Sequence, residues 1–236
     1  MKKALITQSN YIPWKGYFDA INSADALVLY DHVQYTRRDW RNRNIIKTPA
    51  GLHWLTIPVN VKGNYHAPIN EISVSDPGWA EKHWKTICQN YKRAPHFKAY
   101  EDFFSDLYLN CRHQLLSEIN GYFLQAICRL LDISTPFRWS TEFDLQTEDR
   151  SRRLLDICLE LGATHYMSGP KAKEYMDVEL FYAHGVEVEW LDYSGYEPYA
   201  QLHGPFEHGV SIIDLIFNTG SESPRYMKSF AHRLPA

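Results

Sequence analysis

The first thirty residues hold two short apolar segments on either side of a helical segment, and this arrangement constrains the fold more than any other feature. Lys3–Thr7 and Ala26–Tyr30 have the length and the apolar content of buried strands. Between them, Pro13 is placed near the start of a helix that continues through Gly16–Ser23. Strand, helix and strand within so short a stretch predict a parallel βαβ unit, for which a right-handed crossover is expected.

The rest of the chain supplies further elements of both kinds. The segments Asn44–Lys47 and His53–Val59 predict a hairpin, because the link between them contains both Pro49 and Gly51. The other predicted strands are Ile69–Val74, His165–Met167 and Val186–Leu191. Apolar residues three and four apart predict helices over Trp79–Tyr91, Tyr100–Leu109, Leu115–Leu131, Arg150–Leu161, Ala172–Ala183 and Ser211–Phe217.

These elements alternate at both ends of the chain and are helical in the middle. They predict an α/β fold with a mostly parallel central sheet flanked by helices, an antiparallel hairpin and a helical middle segment. We expect one domain over residues 1–236, in which residues 76–133 form a helical insertion or subdomain that no Gly/Ser-rich linker marks.

Charge and composition exclude several classes of protein. The formal net charge of −3 argues against a general nucleic-acid binder, which needs a net basic field. The sequence has no run of 18 uncharged apolar residues, so no membrane span is expected. The apolar run after Lys3 is too short for a signal peptide. The 4 cysteines lack metal-ligand spacing and suit reduced thiols in the cytoplasm.

Candidate ligand-binding residues follow the first predicted strand. Ligands of open α/β sheets bind beyond the carboxyl ends of the strands. We therefore expect Gln8, Asn10, Tyr11 and Trp14 to bind substrate, and Gly16 to allow a close approach by a ligand or another backbone segment. The alternative is that the aromatic rings at this position pack in the core.

A second candidate segment follows the second predicted strand and should share the same rim. From Asp31 to Lys47 the chain has four Arg and one Lys against two Asp, although the whole chain is acidic. Arginine pairs bidentately with phosphate or carboxylate. Asp31 is a candidate general base, and the alternative for the whole segment is a solvated basic arm. The candidate substrate-binding residues here are Gln34, Arg38, Trp40, Arg41, Asn42 and Arg43.

The remaining candidates are scattered along the chain. Ser168, followed by a Gly-Pro-Lys turn, suits a phosphate or a carbonyl, or is an ordinary strand-to-helix turn. His83 is a candidate base on a helix, although a lone helical histidine is more often structural. Asp214 lies in an apolar helix and needs a partner, for which an arginine of residues 37–43 is expected. Gln201 completes the set, and no histidine spacing predicts a metal site.

In their order and spacing, these motifs resemble the WbqC-like family, which is named for a protein of bacterial O-antigen gene clusters. The matching segments are Gln8 to Phe18, Asp31 to Tyr35, Trp40 to Asn44, Ile46 to Pro49, Trp54 to Val59, Lys82-His83, Tyr166 to Gly169, Tyr199 to Gln201 and Ser211 to Gly220. The resemblance covers nearly the whole chain. His32 stands where the family commonly has a second acidic residue, which counts against a mechanism with two adjacent carboxylates.

The resemblance implies an acyl- or aminoacyltransferase that modifies the amino group of a nucleotide-linked amino sugar for surface polysaccharide. No cofactor is expected, and a thioester on an acyl carrier protein or on CoA is one candidate donor. Arg38, Arg41 and Arg43 would bind phosphate or carboxylate, and Asp31 or His83 would take the proton. Two alternatives stay open: a nucleotide-binding protein laid out like nucleotidylyltransferases but without their histidines, and a non-catalytic assembly adaptor.

Overall fold

A five-stranded parallel sheet has the first strand of the chain at its centre. The computed structural model describes residues 1–63 and 66–231. The strands are β1 (Lys3–Thr7), β2 (Ala26–Leu29), β5 (Phe137–Trp139), β6 (His165–Ser168) and β7 (Glu187–Trp190), and their order across the sheet is β5-β2-β1-β6-β7. Ala4 lies opposite Ala26 on one side and Tyr166 on the other. The predicted parallel βαβ unit is confirmed, and the direction in which strands are added reverses between β1 and β6.

Seven α-helices flank the sheet or fill the middle of the described chain. They are α1 (Lys15–Asn22), α2 (Trp79–Tyr91), α3 (Phe97–Leu109), α4 (Leu116–Leu130), α5 (Arg150–Glu160), α6 (Val178–Ala183) and α7 (Ile212–Thr219). Three of them begin at side-chain caps, and in α6 the Asp177 carboxylate accepts from the backbone N–H of Leu180. The Asp149 carboxylate accepts from the backbone N–H of Arg152, and the Ser211 hydroxyl accepts from that of Ile213.

The predicted hairpin is confirmed as a separate two-stranded antiparallel sheet. It consists of β3 (Arg43–Thr48) and β4 (Gly51–Thr56). The outer edge of β3 is bound to the rest of the protein, because Ile45 O accepts from Ser211 N at 2.8 Å and Lys47 N donates to the Tyr91 hydroxyl at 3.0 Å. The hairpin is therefore fixed against α2 and the start of α7.

Both faces of the parallel sheet are buried, as expected for strands that helices cover on each side. Leu5 and Leu27 belong to a hydrophobic cluster that also contains Phe123 and Tyr108 of the helical middle segment. Their neighbours along the strands, such as Ile6 and Val28, face a smaller cluster with residues of α5 and α6. No described helix combines the length and the apolar content needed to cross a membrane.

Three predicted elements need correction. Ile69–Val74 is a 3₁₀ turn over Ile69–Glu71 followed by isolated bridges, because Ile69 and Ile72 enter the core at helical spacing. The predicted helix 172–183 is instead the end of a 3₁₀ turn over Pro170–Glu174 followed by α6, which starts separately where the Asp177 carboxylate accepts from Leu180 N. The strand Phe137–Trp139 was missed, since three residues are too few for a visible period.

Candidate functional site

A cavity of about 530 Å³ lies at the carboxyl edge of the parallel sheet. One wall comes from the loop after β1, from Trp40 and from the hairpin, and the other comes from residues 193–209 between β7 and α7. The lining residues are Asn10, Pro13, Trp14, Trp40, Asn44, Tyr193, Ser194, Gly195, Tyr196, His208 and Gly209. This edge, near the point where strand order reverses, is where open α/β sheets bind ligands.

The loop after β1 is strained and held on several sides. Ile12 is fully buried with φ of 37°, a conformation that costs a β-branched residue on the order of 1–3 kcal/mol. Tyr11 N donates to Trp40 O at 3.1 Å, Asn44 Nδ2 donates to Tyr11 O at 3.0 Å, and Ser211 Oγ donates to Ile12 O at 2.8 Å. The surrounding structure therefore fixes the loop that presents Asn10 and Trp14 to the cavity.

Trp14 forms the aromatic corner where the two walls meet. Its ring lies 5.4 Å from that of Tyr193 and 5.3 Å from that of Tyr196, both in edge-to-face geometry. A Cβ added to Gly16 would come within 2.3 Å of Trp14 Cζ2. The close approach predicted at Gly16 is therefore made by the indole of Trp14.

Asn10 lines the cavity and binds Arg41 of the basic segment. Arg41 Nη1 donates a short hydrogen bond to Asn10 Oδ1, and Arg41 Nη2 lies 3.7 Å from Asp39 Oδ2. A guanidinium has donors only, so the amide oxygen of Asn10 must face Arg41. Within residues 1–63 and 66–231, nothing accepts a hydrogen bond from Asn10 Nδ2.

Lys15 lies behind the cavity wall in a cage of aromatic rings. It is 3 % exposed, and its Nζ donates to Glu197 O at 2.7 Å. The rings of Tyr199 and Tyr196 have their centres 5.2 Å and 5.4 Å from that nitrogen. Burial lowers the pKa of Lys15 to about 8, and Asp19 and Glu197 limit the fall. Lys15 is the first residue of α1, and its contacts therefore connect α1 to the wall formed by residues 193–209.

His208 is the titratable imidazole on the rim of the cavity. It is exposed, and its ring packs edge-to-face on that of Phe206 with the centres 4.5 Å apart. Partial burial and the neighbouring Lys15 ammonium lower the pKa of His208, and Glu207 opposes them. His208 is therefore largely neutral at pH 7 and able to accept a proton.

Asp31, a predicted base, lies below the cavity and does not line it. It is 1 % exposed, and its carboxylate accepts from Ser9 N at 2.8 Å and from the Ser117 hydroxyl. These bonds join the carboxyl ends of β1 and β2 to α4. In this arrangement Asp31 positions the loop that carries Asn10.

His83 and Tyr11 are hydrogen-bonded to each other away from the cavity. His83 Nε2 lies 3.1 Å from Thr56 O, which can only accept, so this nitrogen carries the proton and Nδ1 accepts from the Tyr11 hydroxyl at 2.9 Å. The Tyr11 hydroxyl also lies 2.8 Å from that of Tyr108. Burial lowers the pKa of His83 to about 4, and Tyr11 is fully buried. Tyr11 therefore lies in the core, and His83 borders a separate cavity of about 320 Å³ between β4 and α2.

Most of the basic segment lies outside the cavity. Trp40 reaches it and packs on Trp54 with ring centres 5.3 Å apart, and Arg43 stacks on Trp54 with its guanidinium carbon 4.1 Å from the ring centre. Arg43 also donates to the carbonyl of exposed Arg38. Asn42 is buried and donates to Ile57 O at 2.8 Å.

The two predicted glutamines of this region do not line the cavity either. Gln34 is exposed and pairs across an isolated bridge with Pro68. The backbone carbonyl oxygen of Gln8 accepts from the Tyr17 hydroxyl at 2.9 Å, and the Gln8 side chain is not among the cavity-lining groups.

The expected pairing of Asp214 with an arginine of residues 37–43 is wrong. Asp214 is fully buried and accepts from the hydroxyls of Tyr91 and Tyr199, each at 2.8 Å. Burial raises the pKa of Asp214, and the two tyrosines oppose the rise. Lys47 Nζ lies close by and donates to Gln201 Oε1 at 2.8 Å. Packing of the hairpin against α7 brings Lys47 here, whereas Arg37, Arg38 and Arg41 precede the hairpin and Arg43, at its first position, stacks on Trp54.

Asp214 and Gln201 thus support the second wall from behind, and Ser168 has a comparable position at the end of β6. Ser168 is 4 % exposed, and its carbonyl accepts from Leu191 N at 2.9 Å. None of these three residues lines the cavity. Among the described residues, no group of three or more His, Cys, Asp or Glu side chains is placed to hold a metal ion.

Sequence reasoning missed the cavity residues that follow β7. The run from Tyr193 to Tyr196 comes just after a predicted strand, which is the signal that had drawn attention to the loop after β1. Gly195, with φ of 72°, makes the turn between the two tyrosines. Applying the strand-end rule to β7 would have found this wall; Lys15 and His208 have no comparable local signal.

Comparison with known proteins gave a family and one close relative. The family model described as "WbqC-like protein family" matches residues 8–226. A protein of Mycobacterium tuberculosis described as "Uncharacterized protein Rv1507c" is 46 % identical over 228 residues, which cover 97 % of this chain and 98 % of the relative. No solved structure matched.

Proposed function

The chain belongs to the WbqC-like protein family, and on this premise we propose that it is a transferase that moves an acyl or aminoacyl group to the amino group of a nucleotide-linked amino sugar. The reaction would belong to the biosynthesis of surface polysaccharide such as O-antigen, in the cytoplasm. The observation that carries the proposal is the cavity at the carboxyl edge of the sheet, with aromatic walls, one neutral imidazole and one oriented amide donor.

The walls suit a ligand that combines flat and polar parts. A volume of about 530 Å³ lies within the roughly 300–1,000 Å³ typical of small-molecule sites. Trp14, Trp40, Tyr193 and Tyr196 offer apolar faces on which a nucleobase or a sugar ring can stack. Arg38 and Arg43, on the exposed segment beside Trp40, are the candidates for the phosphates.

His208 is the residue of the cavity best suited to take the proton from the attacking amine. It lines the cavity, and its lowered pKa keeps it neutral at pH 7. Asp31 and His83, the bases expected from the sequence, have their polar atoms engaged in buried hydrogen bonds instead. We therefore give the proton-accepting role in this proposal to His208.

The donor would be a thioester carried by an acyl carrier protein or by CoA. Trp40 connects the basic segment 37–43 to the cavity, and exposed Trp40 and Trp54 form an apolar patch beside these arginines. Such a surface suits the acidic exterior typical of carrier proteins. The four cysteines are free thiols, which fits a reducing compartment.

A reconstituted assay tests the proposal. The purified protein would be mixed with nucleotide-linked 4-amino and 3-amino sugars and with acetyl or glycyl thioesters of CoA and of a carrier protein, and thiol release and product mass would be followed. We expect transfer that falls strongly in His208→Gln and stays unchanged in His184→Ala, which alters an exposed histidine outside the cavity. Nucleotide binding without transfer would favour the binding-protein alternative, and protein binding without either would favour the adaptor.

A further inference from the structure

We propose that Asn10 Nδ2 is the hydrogen-bond donor for the carbonyl oxygen of the acyl group, and that Arg41 is the positioning residue that aims it. The inference rests on the proposed transferase function and names the residue of the same site that binds the electrophilic acyl group. In acyl transfer the carbonyl oxygen gains negative charge in the transition state, and a fixed donor aimed at that oxygen is a major source of rate enhancement.

The orientation of the Asn10 amide follows from the chemistry of its partner. Arg41 Nη1 is bound to Asn10 Oδ1 and can only donate, so the opposite orientation would bring donor against donor. The NH₂ group is the remaining polar end of a side chain that lines the cavity, and none of the described residues accepts from it. The cavity therefore presents a donor at Asn10, which selects for an acceptor on the ligand.

Arg41 is itself held in place. Its side chain is 14 % exposed, its Nη1 also lies 3.5 Å from Ser9 O, and its Nη2 lies 3.7 Å from Asp39 Oδ2. The Asp39 carboxylate accepts from Thr36 Oγ1 and from Trp40 N, each at 2.7 Å. Although burial opposes them, these bonds and Arg41 lower the pKa of Asp39, which keeps it ionised. The series Thr36, Asp39, Arg41 and Asn10 is thus fixed before any ligand binds.

Three further features support Asn10 as the donor. A charged donor on the amide oxygen polarises the amide and strengthens its N–H groups. No Asp or Glu side chain of the described chain lines the cavity, so an oxyanion there meets no like charge from the wall. The strained loop with Ile12 at φ of 37° fixes the backbone that carries the donor.

The step balances as follows. The amine nitrogen of the sugar attacks the thioester carbonyl carbon and forms the C–N bond, while the π electrons move to the oxygen that Asn10 Nδ2 binds. The nitrogen passes a proton to His208. The carbonyl then reforms, the C–S bond breaks, and the thiolate leaves and takes the proton from His208. The products are an amide and a free thiol.

Asn10→Asp is the decisive substitution, because it keeps the oxygen that Arg41 binds and replaces the NH₂ donor with an acceptor. We expect kcat to fall about 10²- to 10³-fold, the loss typical of one oxyanion donor. The KM for the amino sugar and the thermal midpoint should change little, since the contact with Arg41 is retained. Asn60→Asp makes the same change of charge at an exposed site and should leave kcat unchanged.

The positioning role of Arg41 is tested with a double-mutant cycle. Arg41→Met removes the donors that fix the Asn10 amide and should lower kcat, whereas the double variant with Asn10→Asp should lose no more than Asn10→Asp alone. Fully additive losses would show that Arg41 acts independently of Asn10 and would overturn the positioning role.

A spectroscopic measurement separates this inference from the proposed reaction. The infrared C=O stretch of a ¹³C-labelled acetyl thioester of CoA would be recorded on the wild type and on Asn10→Asp. A shift to lower frequency on the wild type that is lost in the variant supports the donor, even if no acceptor sugar yields transfer. If the wild type transfers but Asn10→Asp keeps kcat within about twofold and an unchanged carbonyl band, the inference is wrong while the proposed function stands. A wild type that neither transfers nor shifts the band refutes both.

Discussion

The indole of Trp14 can line the cavity only because residue 16 has no side chain. Replacing Gly16 with alanine would test this dependence. Gly16 lies in the first turn of α1, and a Cβ there would be 2.3 Å from Trp14 Cζ2. Carbon atoms pack at about 3.5–4.0 Å, so the indole must move by more than about 1 Å. The perturbation is one methyl group, yet it acts directly on a ring that lines the cavity.

The expected magnitude follows from opposing effects. In an unhindered helix, alanine would stabilise by about 1 kcal/mol relative to glycine. Displacing Trp14 weakens its two edge-to-face pairs with Tyr193 and Tyr196, and each such pair contributes about 0.5–1.5 kcal/mol. Overpacking costs a further ~1–3 kcal/mol. We therefore expect Gly16→Ala to lower the free energy of unfolding by about 1–3 kcal/mol, which reverses the sign given by helix propensity.

Urea unfolding, near-ultraviolet circular dichroism and titration with a nucleotide sugar would measure stability, ring packing and binding together. Gly169→Ala is the matched control, because its added Cβ has nothing within 4 Å and its φ is −66°. The control should keep the stability and the aromatic signal of the wild type. If Gly16→Ala were as stable as the wild type, with unchanged aromatic signal and affinity, the reasoning about Trp14 would be refuted.

Three further predictions concern buried and titratable groups. The pKa of His83 falls from 6.5 to about 4 on folding. The unfolded chain therefore binds more protons than the folded protein between these two pH values. As pH falls through that range, the wild type should lose about 3 kcal/mol of unfolding free energy. Urea titrations should show that His83→Gln lacks most of this loss, and an equal loss in the variant would contradict the assignment. Tyr199→Phe removes one of the two hydroxyls that donate to buried Asp214, so we expect a loss of about 1.5–3 kcal/mol by urea unfolding, against little change for exposed Tyr182→Phe. Because the pKa of His208 is lowered below 6.5, kcat should decrease as pH falls through a value below 6.5, and a profile unaltered in His208→Gln would exclude it as the base.

The sequence by itself determined most of the elements and predicted the edge of the sheet at which the cavity lies. Apolar runs of strand length separated by a short helix were sufficient for β1, α1 and β2, and Pro49 and Gly51 were sufficient for the hairpin. The rule that ligands bind at strand ends pointed correctly to the edge where the cavity lies, since Asn10, Trp14 and Trp40 all line it. These inferences succeed because they depend on the local spacing of apolar residues and on the order of the elements along the chain.

Only the tertiary structure decided which side chains of that region face the cavity. Asn10 and Tyr11 are adjacent in sequence, yet one lines the cavity and the other is fully buried against His83. Which of the two neighbours turns inward depends on the contacts that hold them: Tyr11 through its backbone to Trp40 and Asn44, and Asn10 through its side chain to Arg41. A strained residue has no sequence signature of its own.

The second wall was also outside the reach of local reasoning. Lys15 and Glu197 are 182 positions apart and meet because the segment after β7 folds back over α1. The partners of Asp214 depend in the same way on how α2 and the hairpin pack around α7. Local period carries no information about contacts between such distant segments, because burial of apolar surface across the whole chain decides them. The sequence therefore predicted the edge of the sheet at which the cavity lies, and long-range packing decided which side chains line that cavity.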